Sequence, residues 1–248
     1  MLRLVTIPIS HYCEKARWAL DWAGLPYREE RHVQGIHRLA ARRAGGGSTV
    51  PVLVTDDRVL ADSEDILAWV DERAPVERRL FPSDPGERAE AERLCRRLDV
   101  ELGPPGRRLV YVHMLAQRRV ALGFNNAGVP RWEGAAVRVG WPLAVRYLRH
   151  ALDIRPGVEV ADEAAIWAEF DSIAQLLADG RPHLCGDGFG AADLTFAALA
   201  APVILPPGYG TRLPQPEVLA PSTAALVRRA REHPAGRFAM AQFAEHRR

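Results

Sequence analysis

Two side chains able to handle sulfur chemistry lie three residues apart near the start of the chain. Ser10 offers a hydroxyl and Cys13 a thiol, and both fall between a short apolar run and a helix-like run that ends near Ala23. The first turn of a helix has unpaired backbone N–H groups and a partial positive charge, so it favours an anion such as a thiolate. The sequence therefore indicates a turn that holds the sulfur of a thiol.

The energies available at such a turn are sufficient to ionise a thiol. A free thiol has a pKa of about 8.5, and lowering it by about two units requires about 2.7 kcal/mol of preference for the anion. A hydrogen bond to a charged group contributes about 1.5–3 kcal/mol, and a helix N-terminus contributes about 0.3–2 kcal/mol. The two contributions together meet the requirement.

The spacing of Ser10 and Cys13 resembles the C-x-x-C redox turn of thioredoxin-like folds with its first, nucleophilic cysteine replaced by serine. A dithiol cycle needs both sulfurs, so these two residues alone do not run one. We interpret Cys13 mainly as a buried, apolar-like thiol. Disulfide exchange with Cys13 as the nucleophile stays open as an alternative.

Two further positions have sequence signals for ligand binding. Val50-Pro51 opens a short apolar run, and in thioredoxin-like folds an X-Pro bond at this place is cis and faces the active turn; the alternative is a trans proline at a strand start. Asp62-Ser63 opens an amphipathic helix as a capping pair. Beyond capping, Ser63 and the adjacent backbone N–H groups are suited to binding a carboxylate.

The elements around these positions predict two parts of different class. Strand, helix, hairpin and helix patterns follow one another up to residue 73, which indicates a compact α/β unit. After a segment rich in proline and charge, only helical patterns continue. We predict an α/β domain at residues 1–76, a linker at 77–85 and an all-helical domain at 86–248.

Proline and glycine predict two interruptions in the helical part. Gly103-Pro104-Pro105-Gly106 predicts a helix break, after which a helix resumes over residues 107–122. A helix over residues 131–152 contains Pro142, which is expected to kink it or to start it afresh. Residues 193–205 are almost wholly apolar, so we expect a buried central helix there.

Composition argues against several classes of partner. With 33 basic and 31 acidic side chains and a net charge of +2, the chain gives no reason to expect nucleic acid or a charged membrane surface. No stretch approaches the roughly 18–20 apolar residues of a membrane helix, and no signal peptide is predicted. The three cysteines are far apart and show no metal-ligand spacing, so we expect no metal, no disulfide framework and a cytoplasmic location.

Four segments in register make the chain similar to a known family. They are residues 10–17, 49–53, 62–67 and 184–194, the last being similar to a capping motif before a buried central helix. On these segments the chain resembles the cytosolic glutathione transferase superfamily, specifically its serine-type, bacterial members. The resemblance implies a thioredoxin-like first domain, an all-α second domain and a homodimer. It also implies glutathione as co-substrate, a small hydrophobic electrophile and a role in detoxification.

The resemblance also assigns roles by position. Ser10 would stabilise the glutathione thiolate, Val50 would pair with the cysteinyl backbone, and Asp62 with Ser63 would hold the γ-glutamyl end. The glycyl carboxylate would be bound by His37 or Arg38. Tyr12 and Pro51 belong to the same glutathione site. For the electrophile pocket we expect His11, Tyr111, His113 and Trp141.

Three departures from the family pattern stand out, and three functions stay open as hypotheses. His11 stands where the family often has proline, Gly190 replaces a capping serine or threonine, and the segment 103–141 is long and aromatic, which predicts an unusual pocket. Conjugation, dehalogenation, ether cleavage and isomerisation share thiolate formation, so the sequence does not separate them. The alternatives are an oxidoreductase using Cys13 and a non-catalytic binding or scaffold protein.

Overall fold

A mixed four-stranded sheet organises the first part of the chain. In the computed structural model, which describes residues 1–247, the strands lie in the order β2-β1-β3-β4. They are β1 (Leu2–Thr6), β2 (Tyr27–Arg31), β3 (Val52–Val54) and β4 (Val59–Leu60). β1 pairs with β2 in parallel and with β3 antiparallel, and β3 pairs antiparallel with β4. The helices of this part are α1 (His11–Trp22), α2 (His37–Arg43) and α3 (Ser63–Arg73).

The second part consists of helices. They are α4 (Pro85–Glu101), α5 (Gly103–Leu115), α6 (Arg118–Asn125), α7 (Arg131–Val139), α8 (Trp141–Ala151), α9 (Val158–Leu176), α10 (Ala191–Ile204), α11 (Pro221–Glu232) and α12 (Pro234–His246). The predicted fold class, an α/β thioredoxin-like part followed by an all-α part, is confirmed. No helix within the described residues 1–247 is long and apolar enough to cross a membrane.

One apolar core joins the two parts. Helix α10 is buried along almost its whole length and packs against α1 of the first part as well as α4 and α12 of the second. Its side chains belong to the same buried cluster as Leu4 and Trp18 of the first part and Phe170 of α9. The core is therefore continuous across the two parts and does not mark a boundary between them. The domain division with a linker at residues 77–85 stays a prediction.

The predicted helix break at residues 103–106 is wrong. Helix α5 begins at Gly103, and the interruption falls one residue earlier, at Leu102. Pro104 and Pro105 therefore occupy the first turn, where a helix makes no use of the N–H groups that proline lacks. The helix predicted over residues 107–122 is also divided, because α5 ends at Leu115 and α6 begins at Arg118.

Pro142 starts a new helix, which is one of the two outcomes that the sequence allowed. Helix α7 ends at Val139, and α8 begins at Trp141 with the proline in its first turn. Gly190, the second departure from the family pattern, precedes α10. Asp193 performs the capping there, because its carboxylate accepts hydrogen bonds from the backbone N–H groups of Gly190 at 2.9 Å and Leu184 at 2.8 Å.

A close backbone approach explains why glycine occupies position 190. The Leu80 carbonyl oxygen accepts a hydrogen bond from the Ala191 N–H at 2.7 Å. A Cβ atom added to Gly190 would lie 2.8 Å from that same oxygen, which is closer than carbon and oxygen pack. A serine or threonine cap would push the chain at Leu80 away from α10.

We expect Gly190→Ala to destabilise the fold by about 1–3 kcal/mol, because the added methyl group overpacks a rigid backbone contact. The measurement is the urea midpoint of unfolding. Gly188→Ala is the matched control in the same loop, since nothing lies within 4 Å of a Cβ there. Equal midpoints for the two variants would contradict the close approach of Leu80.

Candidate active site

A cavity of about 600 Å³ lies between the first part of the chain and helices α5–α8 and α10. The turn after β1, the loop before β3 and the inner faces of those helices line it. The volume is within the range of about 300–1,000 Å³ typical of small-molecule sites. The segment 103–141, predicted to shape a pocket, supplies much of the wall, including Tyr111 and Phe124.

Ser10 stands at the N-terminus of α1 and lines this cavity. Its backbone is extended, and its Oγ accepts a hydrogen bond from the Cys13 N–H at 3.3 Å. A serine at this position caps the helix with an oxygen lone pair and keeps its own hydrogen for another acceptor. The Ser10 hydroxyl can therefore donate to a sulfur placed in the cavity.

Cys13 is turned away from the cavity. Its side chain is fully buried, and burial raises the pKa of its thiol. A buried thiol with a raised pKa is a poor nucleophile, because the thiolate is the reactive form. The geometry favours the packing role for Cys13.

The turn that presents Ser10 is held by a buried arginine. Arg17 Nη2 donates hydrogen bonds to the carbonyl oxygens of Ile7 at 3.0 Å and Pro8 at 2.9 Å. Its Nη1 and Nε atoms reach the carboxylates of Glu14 at 2.8 Å and Glu29 at 2.7 Å. Burial opposes the charge of Arg17, but the two carboxylates outweigh it and raise the arginine pKa well above its ordinary value. Arg17 thus has a structural role, as an ion-pair partner within the first part of the chain.

The peptide bond between Val50 and Pro51 is cis, as the thioredoxin-like pattern indicates. Val50 and Ser10 both line the cavity, whereas Pro51 is buried and does not line it. The Val50 backbone is therefore placed to meet an extended ligand that reaches the Ser10 hydroxyl.

Asp62 and Ser63 open α3 and do not line the cavity itself. Asp62 caps the helix, with its Oδ1 accepting from the Glu64 N–H at 2.7 Å, and Ser63 is buried. Tyr12 lines the cavity and is close enough to Asp62 to be affected by its charge. Burial, and then the charges of Asp99 and Asp62, raise the pKa of the Tyr12 phenol. The Tyr12 hydroxyl donates a hydrogen bond to the Asp99 carbonyl at 2.7 Å.

His37 and Arg38 both line the cavity, and the structure distinguishes them by charge. Burial, and then the charge of Arg38, lower the pKa of His37 to about 4, so this imidazole is neutral near pH 7. Its Nδ1 accepts a hydrogen bond from the Gly35 N–H at 3.0 Å. Arg38 is exposed and carries the positive charge at this rim of the cavity.

Three of the four predicted pocket residues line the cavity. His11, Tyr111 and Trp141 do so, and burial raises the pKa of Tyr111 to about 12, which keeps its phenol protonated. His113 does not: it borders a separate space of about 10 Å³ between α5 and α11. The prediction that His113 lines the electrophile pocket is therefore wrong. His113 lies two residues after Tyr111, so the helix directs the two side chains to opposite sides of α5.

Sequence reasoning missed several polar residues of the cavity wall, among them Gln34 and Arg107. Gln34 lies in the loop after β2 and donates a hydrogen bond to the Tyr111 hydroxyl. No sequence signal distinguishes Gln34. For Arg107 the only signal is an arginine pair in an otherwise apolar helix, and it does not show which member faces the cavity. Within residues 1–247 no cluster of three potential metal ligands is present.

The first part of the chain matches a known protein family. Residues 4–79 match the family described as Glutathione S-transferase, N-terminal domain. No curated protein sequence matches the chain.

Solved structures extend the likeness to the whole chain. The glutathione S-transferase of Xanthobacter autotrophicus Py2 has a TM-score of 0.61 at 19% identity, with 99% of this chain and 93% of that chain covered. The glutathione S-transferase of Sinorhizobium meliloti 1021 has the same TM-score, 0.61, and 19% identity, covering 99% and 98%. Beta-etherase LigF from Sphingobium sp. strain SYK-6 has a TM-score of 0.59 at 17% identity, covering 97% and 99%.

These likenesses define the class of protein. Identities this low establish the fold, and the family match establishes the first domain. The chain has a glutathione S-transferase N-terminal domain and, over its whole length, the fold of the cytosolic glutathione transferase superfamily. The resemblance drawn from the sequence is confirmed for the first domain and for the fold of the whole chain.

His11 gives the fold a measurable pH dependence. Burial and then the charge of Arg107 lower the pKa of His11 from 6.5 to about 3. Between these values the unfolded chain binds the proton and the folded chain does not, so stability falls as pH decreases below about 6.5. We expect His11 to account for a loss of about 2 kcal/mol between pH 7 and pH 5.

The measurement is the free energy of unfolding in urea at both pH values. His11→Asn should lose stability less steeply than the wild type on acidification. His150→Asn removes an exposed histidine and should keep the wild-type slope. Identical slopes for all three proteins would contradict a buried, neutral His11.

Proposed function

We propose that this protein is an enzyme that binds glutathione, stabilises its thiolate and delivers the sulfur to a small hydrophobic electrophile. The observation that carries the proposal is the Ser10 hydroxyl, which caps α1 with its oxygen and lines the cavity. A hydrogen bond to a thiolate at a helix N-terminus supplies the energy that the ionisation of a thiol requires. The match of residues 4–79 to the glutathione S-transferase N-terminal domain supports glutathione as the thiol.

The other glutathione contacts in this proposal come from the family resemblance, and Asp62 and Ser63 would contact a part of the ligand that extends beyond the cavity. Val50, next to the cis bond, would pair its backbone with the cysteinyl residue of glutathione. Asp62 and Ser63 at the start of α3 would take the γ-glutamyl end, where helix N–H groups suit the carboxylate and Asp62 suits the ammonium. Arg38 would bind the glycyl carboxylate, since the neighbouring His37 is neutral.

The chemical step uses the thiolate as the nucleophile. The thiol proton leaves to solvent, the sulfur lone pair forms a bond to the electrophilic carbon, and the leaving group departs with the electron pair of the bond that breaks. The role of the protein is to lower the thiol pKa and to hold both reactants together. Isomerase, dehalogenase and ether-cleaving variants share this first step; one neighbouring structure is of a beta-etherase. A homodimer, a cytoplasmic location and a detoxification role complete the proposal.

The two alternatives are less well supported. An oxidoreductase would need an accessible Cys13, and this thiol is fully buried. A non-catalytic scaffold has no need for a serine hydroxyl in the wall of a cavity of about 600 Å³. Because a ligand that binds only the folded state must stabilise it, a rise in melting temperature with glutathione counts against a scaffold with an empty site.

We expect Ser10→Ala to lower kcat/KM for glutathione and 1-chloro-2,4-dinitrobenzene by about 10- to 150-fold, because one hydrogen bond to the thiolate is lost. The pKa of the bound thiol, followed by thiolate absorbance, should rise by about one to two units.

Cys13→Ala is the control, and it should keep both the activity and the thiolate absorbance. The assignment of Ser10 fails if Ser10→Ala retains full activity. Loss of disulfide exchange in Cys13→Ala alone would instead support the oxidoreductase.

We expect Arg38→Gln to weaken glutathione binding by about tenfold, because a charge-assisted hydrogen bond to a carboxylate is removed. The measurement is the glutathione dependence of the melting temperature, together with KM at saturating electrophile. His37→Asn should have a smaller effect because this imidazole is neutral. The reverse order of the two variants would assign the carboxylate to His37.

A further inference from the structure

Several side chains in the cavity wall carry buried polar atoms without a hydrogen-bond partner among the described residues. His11 Nε2, Gln34 Oε1 and Arg107 Nε are among them. A buried polar atom left unpaired is unfavourable unless a ligand or water supplies the missing partner. All three side chains belong to residues that line the cavity, so a polar ligand group or water held there is a candidate partner for them.

Arg107 is the charged member of this set, and it differs from its neighbour Arg108 in having no ion-pair partner within the described part of the chain. Arg108 forms a two-bond ion pair with the buried carboxylate of Asp162, with Nε 2.7 Å from Oδ2. Arg107, one position earlier on α5, pairs with no carboxylate among residues 1–247. A partly buried guanidinium without a counter-charge has lost hydration that only an anion replaces well.

No acidic residue near Arg107 in the described part of the cavity wall offsets its positive charge. No aspartate or glutamate from the described part of the chain lines the cavity. The other basic residues of the wall are Arg38 and three histidines, of which His11 stays neutral through burial and the nearby charge of Arg107. Gln34 Oε1 only accepts hydrogen bonds, so it takes no part in binding an anion.

Arg107 comes from a different part of the chain than the contacts proposed for glutathione. Those contacts come from the first part of the chain, whereas Arg107 belongs to α5 of the helical part. Gly103, at the start of α5, lies directly against the Tyr12 ring: an added Cβ would be 2.1 Å from the Tyr12 hydroxyl. This close approach brings the start of α5 beside the turn of Ser10.

An apolar surface lies in the same cavity. Met114, Leu115, Phe124 and Trp141 line it together with Arg107. An arginine accompanied by aromatic and aliphatic side chains fits a flat apolar molecule that carries one carboxylate.

Resting on the function proposed above, we propose that Arg107 is a specificity-determining residue that binds a carboxylate on the electrophile, so that the preferred substrates are aromatic carboxylates. The Arg107 guanidinium holds the carboxylate while the aromatic body lies on the apolar wall. The reactive carbon then faces the sulfur held at Ser10.

Two matched aryl chlorides test this substrate class: 4-chloro-3-nitrobenzoate and its neutral amide, 4-chloro-3-nitrobenzamide. In each, the glutathione sulfur bonds to the carbon that carries chlorine, chloride leaves with the bonding electrons, and the thiol proton passes to buffer. Each kcat/KM is divided by the rate constant of the uncatalysed reaction with glutathione, which removes the difference in intrinsic reactivity.

We expect the normalised wild-type value to favour the benzoate by at least about tenfold. Arg107→Gln should reduce this preference to near unity by lowering the benzoate value, and Arg107→Lys should restore part of it. Arg119→Gln is the matched control, because it removes one positive charge from the exposed face of α6 and should keep the preference.

Two results would overturn the proposal. One is a wild-type enzyme without preference for the benzoate. The other is an equal loss of both activities in Arg107→Gln with a raised pKa of bound glutathione, which would assign Arg107 to the thiolate instead.

A binding measurement separates this inference from the proposed function. Calorimetry with unreactive 2-naphthoate and 2-naphthamide should show at least about tenfold tighter binding of the anion to the wild type, and Arg107→Gln should lose the difference. If neither aryl chloride reacts but the anion preference depends on Arg107, the anion site stands and the transferase function fails. If the amide reacts but neither assay shows a preference, the function stands and the anion site fails.

Discussion

The buried guanidinium of Arg17 is the interaction on which the rest of the site depends. It binds the carbonyl oxygens of Ile7 and Pro8, so it fixes the backbone that leads from β1 into Ser10. Its charge is balanced by two carboxylates, Glu14 on its own helix and Glu29 on β2. Breaking a buried pair by removing one partner leaves an uncompensated charge, at a cost of about 3–5 kcal/mol. The turn is therefore held by interactions that the fold cannot give up locally.

The same cluster connects the turn to the far end of the chain. Glu14 Oε1 accepts hydrogen bonds from the Gly210 N–H at 2.9 Å and from Arg247 Nε at 2.7 Å. Trp18, one turn further along α1, donates to the His246 carbonyl at 3.2 Å. Two segments of the helical part, around Gly210 and at residues 246–247, thus contact α1. Helix α5 packs against α1 as well. The position of the Ser10 hydroxyl is consequently a property of the whole chain.

Burial decides how charge is distributed in the cavity. Two histidines of the wall are neutral near pH 7, because burial lowers the pKa of His11 to about 3 and of His37 to about 4. The arginines of the wall are Arg38 at the rim and Arg107 on α5. Each belongs to a different part of the chain, which suits a site that receives two reactants separately and brings them into contact.

The sequence by itself determined the features that depend on short segments: the S-x-x-C turn at Ser10, the Val50-Pro51 bond, the two-part fold class and the buried helix α10. Local chemistry is enough for these, since caps, prolines and apolar periodicity act within a few residues. The tertiary structure alone decided which side chains face one another. It turned His113 away from the cavity, left Arg107 without a carboxylate partner among residues 1–247, and required glycine at position 190 because the Leu80 backbone lies against it. Those outcomes depend on helix rotation and on contacts between distant segments, and neither is encoded in residue type or spacing.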